Sequence, residues 1–385
     1  MRVTAFEESA VLALAAPNAM KICNCLGDSN RAFLPSEMLR SYTEARKVFQ
    51  GLGVDDKFSY QIFNRPHGYW PEIREAMLGW FDLHLRGIGH GAPKSEPDFE
   101  CLPEADLMVF PEGQRPPEEM SIAEYCRKKG AAFNKATSNL PAVDQNNKVA
   151  ELADILRIHE PLQLKQVHEY SAQGDWRRLA LETTCGRMIP LVIRNAEAGG
   201  SFHILGDTLD KTNLEQSTIY TEALKAGDGV VLIDLWGSGE TAQVDGRIGD
   251  AKIGVLYHNL SRYCLWLGRT LIGEWVRDYQ LIYLWLQQEM EPQKIVLGGE
   301  KEAGLAALFA SVLAKGKLPV VLENSPVSFV FNQQKARNDK ESAYYSMGLH
   351  LPGIIPWGDM DMARKLVTEE VRFICPRLSD GEEVK

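Results

Sequence analysis

The order of apolar and polar positions divides the chain into recognisable pieces. Residues 19–27 (AMKICNCLG) are an apolar run of strand length, and residues 36–52 repeat apolar side chains at helical spacing before Gly51 and Gly53. FSYQIF at 58–63 is a second short strand, closed by Arg65-Pro66-His67-Gly68. After it, 71–86 (PEIREAMLGWFDLHLR) opens with Pro at a helix start and carries an apolar stripe. The first ninety residues therefore predict strand, helix, strand, loop, helix.

Residues 88–118 are rich in Gly, Pro and acidic residues and keep no period, which predicts a connector, with helices following at 120–137 and 146–157. From 164 onward short strands come in succession: LKQVHEYS, WRRLALETT, MIPLVIRN and FHILGD. TIYTEALKAG then reads as a helix and GVVLIDL as a fully buried strand. The stretch 258–289 reads as one long helix, followed by the strand KIVLGG, a helix from Glu302 and the strand LPVVLEN. Strands alternating with helices predict a mostly parallel sheet with helices on both faces, entered here through an antiparallel ribbon. Residues 12–18 (LALAAPN) and 371–377 (VRFICPR) echo one another, an apolar run leading to Pro and a polar residue, and suggest one strand lead used twice.

Composition narrows the partners. A net charge of −10 with no Lys/Arg cluster excludes a phosphate backbone as ligand, because nucleic-acid affinity rests on clustered cations releasing counterions. No segment reaches the roughly 20 apolar residues of a membrane helix, and Ala10–Pro17 is too short, with Glu7 and Glu8 in front, for a signal peptide. A soluble chain without membrane or nucleic-acid partners is expected. The seven cysteines form no CxxC pair; Cys23 and Cys25 lie in a strand, and buried thiols are expected rather than disulfides or a metal site. His84, His90, His159, His168, His203, His258 and His350 lack ligand spacing, and no GxGxxG follows a strand, so neither metal nor cofactor is expected. Trp266, Trp275, Tyr279, Tyr283 and Trp285 recur at helical spacing, as core aromatics do.

Several segments together resemble the acetyl-xylan-esterase-like families of α/β hydrolases, which include large forms with two hydrolase units in tandem. AAPNAMKICNCLGDSNRAFLP is similar to their late strand ending in the catalytic aspartate, which puts Asp28 in that place. FNRPHGYWPEIREAMLGWFDLHLRG resembles their histidine loop and last helix, with His67 as the catalytic histidine. VVLIDLWGSGET is similar to the strand and loop beside the oxyanion hole. LGRTLIGEWVRDYQLIYLWL and KIVLGGEKEAGLAALFASVL resemble the helix before the nucleophile strand, and that strand with its elbow and helix. The resemblance implies an α/β-hydrolase-like sheet in permuted chain order, because the nucleophile turn normally precedes the acid and the histidine. Residues 1–90 would be the rear half of one unit, 91–157 a connector with helices, and 158–385 the front half of a second.

The departure falls on the nucleophile. Where Gly-x-Ser-x-Gly is required, the chain has Gly299-Glu300-Lys301-Glu302-Ala303-Gly304, so Lys301 occupies the serine position. An exposed ammonium is not nucleophilic near neutral pH and cannot form an acyl ester; a solvated Glu-Lys-Glu helix start, its acids matched to the helix dipole, is the simpler account. Ser238 in Gly237-Ser238-Gly239 follows the wrong strand, and Asp28 and His67 could each be ordinary loop residues. The sequence thus points to a carbohydrate-esterase relative without a self-contained triad. Open alternatives are a carboxylic ester hydrolase whose serine comes from an upstream hydrolase segment or a partner chain, with acetylated polysaccharide or another small ester as substrate, and a non-catalytic carbohydrate- or protein-binding module; a homo-oligomer also stays open. Two geometric expectations follow: strand 19–27 should share a sheet with 229–235, 294–298 and 318–322, and Asp28 should reach His67.

Overall fold

The protein is described by a computed structural model covering residues 8–110, 116, 118–138, 145–197, 200–242, 255–330 and 343–384. It divides into two units, Thr4–Pro116 and Pro117–Lys385. The leading residues 1–7, part of the basis for expecting no signal peptide, lie outside the described residues.

In the 4–116 unit, helix α1 (Glu8–Ala13) leads to strand β1 (Met20–Gly27), which pairs in parallel with β2 (Phe58–Pro66). Parallel strands need a crossover, and α2 (Pro35–Gly51) supplies it. Proline at the first turn of α2 and of α3 (Pro71–Arg86) costs no hydrogen bond, because the first amides of a helix lack intrahelical acceptors. α3 stops at Gly87, whose φ of 63° lets Ile88 N–H reach the Asp82 carbonyl at 2.9 Å. Two small cores form. Met38, Tyr42, Ala45, Phe49 and Phe58 make one, and Cys25, Phe63, Ile73 and Ala76 make the other. Phe49 is wholly buried, which stabilises this piece by about 1.5–3 kcal/mol on its own. Residues 91–96 run along α3: a Cβ on Gly79 would lie 1.7 Å from the Ala92 carbonyl oxygen, and Arg74 Nη2 donates to Glu96 Oε2 at 2.8 Å.

In the 117–385 unit, α4 (Ile122–Ser138) and α5 (Gln145–Leu156) precede an eight-stranded sheet. Its strands are β3 (Leu164–Gln173), β4 (Trp176–Thr183), β5 (Met188–Arg194), β6 (Phe202–Asp207), β7 (Gly229–Asp234), β8 (Ile295–Glu300), β9 (Val320–Glu323) and β10 (Val371–Ile374). The spatial order is β10-β9-β8-β6-β7-β5-β4-β3. The five strands from β10 to β7 run parallel, and β5, β4 and β3 continue as the antiparallel ribbon. On one face α6 (Thr218–Lys225) packs Ile219 and Ala223 against Leu205, Val230 and Leu232. The larger core holds the long helix α8 (Leu271–Met290) and α9 (Glu302–Leu313), whose residues 302–312 are all buried. This is an α/β fold with a large central sheet flanked by helices.

Several expectations are corrected. β1 is hydrogen-bonded to β2 in a two-stranded sheet of its own and not to β7, β8 or β9. The two local cores cover its faces, and the open edge of β9 is taken by β10. The long helix expected over 258–289 is two helices, α7 (His258–Trp266) and α8, separated at Gly268 (φ 71°), with the Thr270 hydroxyl accepting from Gly273 N–H to restart the helix. The echo of 12–18 with 371–377 is not structural, since the first follows α1 into a turn and the second is a strand. Cys25 and Cys264 are buried as expected, whereas Cys101, Cys126, Cys185 and Cys375 are exposed. Trp275, Tyr279 and Trp285 are core residues, but Trp266 is half exposed.

Candidate active site

β1 and β2 are parallel, so the loops after them leave the same end of their sheet. Asp28 follows the first strand and His67 the second. Gly27 sits opposite Pro66, and a Cβ there would lie 3.2 Å from the Arg65 carbonyl oxygen, so the two strand ends approach closely. The Asp28 side chain is 5% exposed and uses both oxygens: Oδ1 accepts from Asn30 N–H at 2.9 Å, and Oδ2 lies 2.6 Å from His67 Nδ1. The Asn30 amide, then the imidazole, hold the Asp28 carboxyl below the ordinary aspartate range, so it is ionised at neutral pH. An ionised carboxylate only accepts; the Nδ1 of His67 therefore carries a proton, and in the neutral imidazole the lone pair is then on Nε2. The imidazole is 69% exposed, and among the described residues Nε2 has no hydrogen-bond partner. Trp70 Nε1 donates to the Pro66 carbonyl at 2.8 Å and secures the turn that carries His67. The geometry is that of a general base with its orienting acid.

Lys301 lies in the other unit, between β8 and α9, on a strand-to-helix turn with φ 52° and ψ −126°. That backbone region is strained for any residue with a Cβ, as the turn under a hydrolase nucleophile is. The turn is tight enough to forbid side chains around it. A Cβ on Gly299 would lie 2.6 Å from the Ala303 carbonyl carbon, and one on Gly304 2.3 Å from Ser325 Oγ. Lys301 N–H donates to the Glu323 carbonyl at 2.9 Å, and Ser325 Oγ donates to the Lys301 carbonyl at 2.7 Å. The strand-to-helix turn is thus a tight one, and the side chain it carries places Lys301 Nζ 4.9 Å from the ring centre of Tyr344, a ring it shares with Arg377. The solvated Glu-Lys-Glu helix start is not found. Glu302 is wholly buried, accepts from Ser346 N–H through Oε1, and among the described residues leaves Oε2 without a partner, while burial pushes its carboxyl upward. Glu300 is half-buried and also raised by burial.

Ser238 is no substitute nucleophile. It is fully buried, and its hydroxyl donates to the Leu235 carbonyl at 2.7 Å. The glycines beside it serve a turn around Asp234, since a Cβ on Gly239 would overlap that carboxylate at 2.1 Å. Among the described residues no group of three or more His, Cys, Asp or Glu could hold a metal ion, and no helix is long and apolar enough to cross a membrane. Two features were not anticipated from sequence. Phe33 stacks on His67, with ring centres 5.7 Å apart and planes 25° from parallel; its only sequence signal is an aromatic five residues beyond Asp28 in a turn-rich loop. A buried ion cluster holds the loop after β7: Arg187 Nη1 donates to Asp278 Oδ1 at 2.6 Å, Arg187 pairs with Glu274, and Asp278 Oδ2 accepts from Trp236 N–H at 2.8 Å.

No protein-family model and no curated protein matches the chain. Among solved structures it is similar to acetyl xylan esterase 1 from Thermoanaerobacterium sp., at 16% identity over 66% of this chain and 83% of that one, with a TM-score of 0.39. It is similar to an acetyl xylan esterase from a Paenibacillus species at 12% identity, 63% and 92% coverage and TM-score 0.37. A third is the glucuronoyl esterase from Sporotrichum thermophile, at 13% identity, 60% and 66% coverage and TM-score 0.36. The solved structures that the chain resembles are thus α/β-hydrolase carbohydrate esterases of low sequence identity.

Proposed function

We propose that the 4–116 unit is the acid–base half of a serine-esterase site and that the chain has no self-contained triad, its nucleophile being supplied by an upstream segment or a partner chain. The Asp28–His67 hydrogen bond is the observation that carries this. It fixes the tautomer in which His67 Nε2 can take a proton from an attacking serine hydroxyl and return it to the leaving alcohol, while Asp28 stays ionised and stabilises the imidazolium. Residues 158–385 are, on the same reading, the front half of a second, degenerate unit, so the Asp/His half precedes the elbow half in the chain. Lys301 has no hydroxyl to acylate there, and its elbow is retained as a packing device. The segments around Asp28, His67 and the elbow resemble acetyl-xylan-esterase families, which supports acetylated polysaccharide or another small ester as the substrate class.

Loss of a triad member leaves only about 10³–10⁴ of rate over water from the remaining groups. Hydrolysis of p-nitrophenyl acetate by the purified chain is therefore expected to be negligible and unchanged by His67→Ala. Brisk native hydrolysis that His67→Ala abolishes would show a nucleophile inside this chain and end the proposal.

A further inference from the structure

We propose that Phe33 is a positioning residue for His67: its ring fixes the plane of the imidazole and hence the direction in which Nε2 points. The proposal rests on the reading of His67 as the base. The imidazole is 69% exposed, and its one hydrogen bond among the described residues, from Nδ1 to Asp28, leaves it free to rock about that contact or to swing away. A ring stacked in an offset arrangement restricts that freedom, and Phe33 is such a neighbour, at 5.7 Å and 25°.

The loop is built to deliver both partners at once. Asn30 N–H caps Asp28 Oδ1 at 2.9 Å, Ala32 N–H donates to Asn30 Oδ1 at 3.0 Å, and a single 3-10 turn, Arg31–Phe33, follows. Asn24 of β1 then reaches across nine residues to donate its Nδ2 to the Phe33 carbonyl at 2.9 Å. The Phe33 backbone is thus tied to the strand that carries the acid, and Asp28 meets the imidazole at its edge while the Phe33 ring stacks beside it. Phe33 is itself 48% exposed, so burying its own apolar surface in a core does not account for its place.

In water the neutral imidazole favours a proton on Nε2; only a ring held with Nδ1 against Asp28 keeps it on Nδ1. The tautomer ratio therefore reports the positioning without any turnover. In the full chain, labelled with ¹⁵N and held above the ordinary histidine titration range, the imidazole nitrogens of His67 are expected to show the Nδ1-protonated form in excess. Phe33→Ala and Phe33→Leu should lower that excess by about two- to tenfold, the value of an aromatic pair, and Phe33→Tyr should restore it. Leucine keeps the bulk but not the flat face, which separates stacking from simple filling. An unchanged tautomer ratio in Phe33→Ala and Phe33→Leu would overturn the positioning role and leave the acid–base reading standing. Excess Nε2-protonated imidazole in the native chain would instead remove the acid–base reading itself.

Discussion

At the scale of single residues, Asp28 makes a pH prediction with a definite sign. Its folded pKa lies below the unfolded value of about 3.9, so the stability it lends is fully present above the ordinary aspartate range and drains away as the pH falls through the lowered value. The difference in unfolding free energy between native chain and Asp28→Asn should shrink as the pH falls through that lowered value; a gap that widened in acid would contradict it. The elbow glycines give a second test. Gly304→Ala and Gly299→Ala each force a methyl against backbone or a bound hydroxyl, and each should cost about 1–3 kcal/mol in denaturant unfolding, whereas Lys301→Ser should be nearly neutral because any side chain bears the same backbone strain. The Asp28–His67 hydrogen bond could be expected because each residue stands in a short loop next to its strand, in segments whose resemblance paired them. The placements of Phe33 and Glu302 could not. What a ring stacks on, or whether a glutamate at a helix start turns inward, depends on neighbours 34 or more positions away, such as His67 and Ser346.

At the scale of elements, the buried ions around α8 have a measurable weight. Arg187 is 9% exposed and Asp278 wholly buried, so Arg187→Ala strands a carboxylate that burial already pushes upward. A loss of about 3–5 kcal/mol is expected in thermal or denaturant unfolding. Arg40→Ala on α2, whose pairing with Glu37 is more than half exposed on the arginine side, should cost less than about 1 kcal/mol. Equal effects would mean that the cluster is far more hydrated than its burial implies. Strands such as GVVLIDL and helices such as PEIREAMLGWFDLHLR were legible because their periods or apolar runs are long. The break at Gly268 was hidden by apolar residues on both sides, Leu265 to Leu267 and Leu271 to Ile272. β10 has four residues, all half-buried, and lies in the 371–377 segment, which was legible as a strand lead but not as the edge partner of β9.

At the scale of the whole molecule, the α/β class, the parallel run and the antiparallel entry ribbon could be read from the alternation of segments, but the allocation of strands to sheets could not. Pairing β1 with the larger sheet was an economical way to cover open edges; the chain instead covers β1 and β2 with Phe49, Tyr42, Phe63 and Ile73, and covers β9 with Val371–Ile374. Local helices beside β1 and β2 and one further strand beside β9 took the place of docking, and sequence pattern alone does not rank the two solutions. The central claim is that this chain carries a formed acid–base pair and no serine for it to activate. Intact-mass analysis of the native chain after exposure to a serine-directed fluorophosphonate tests it most directly. The mass is predicted to stay unchanged in the native chain and in His67→Ala alike, and one stoichiometric adduct on the native chain, lost in His67→Ala, would contradict the account.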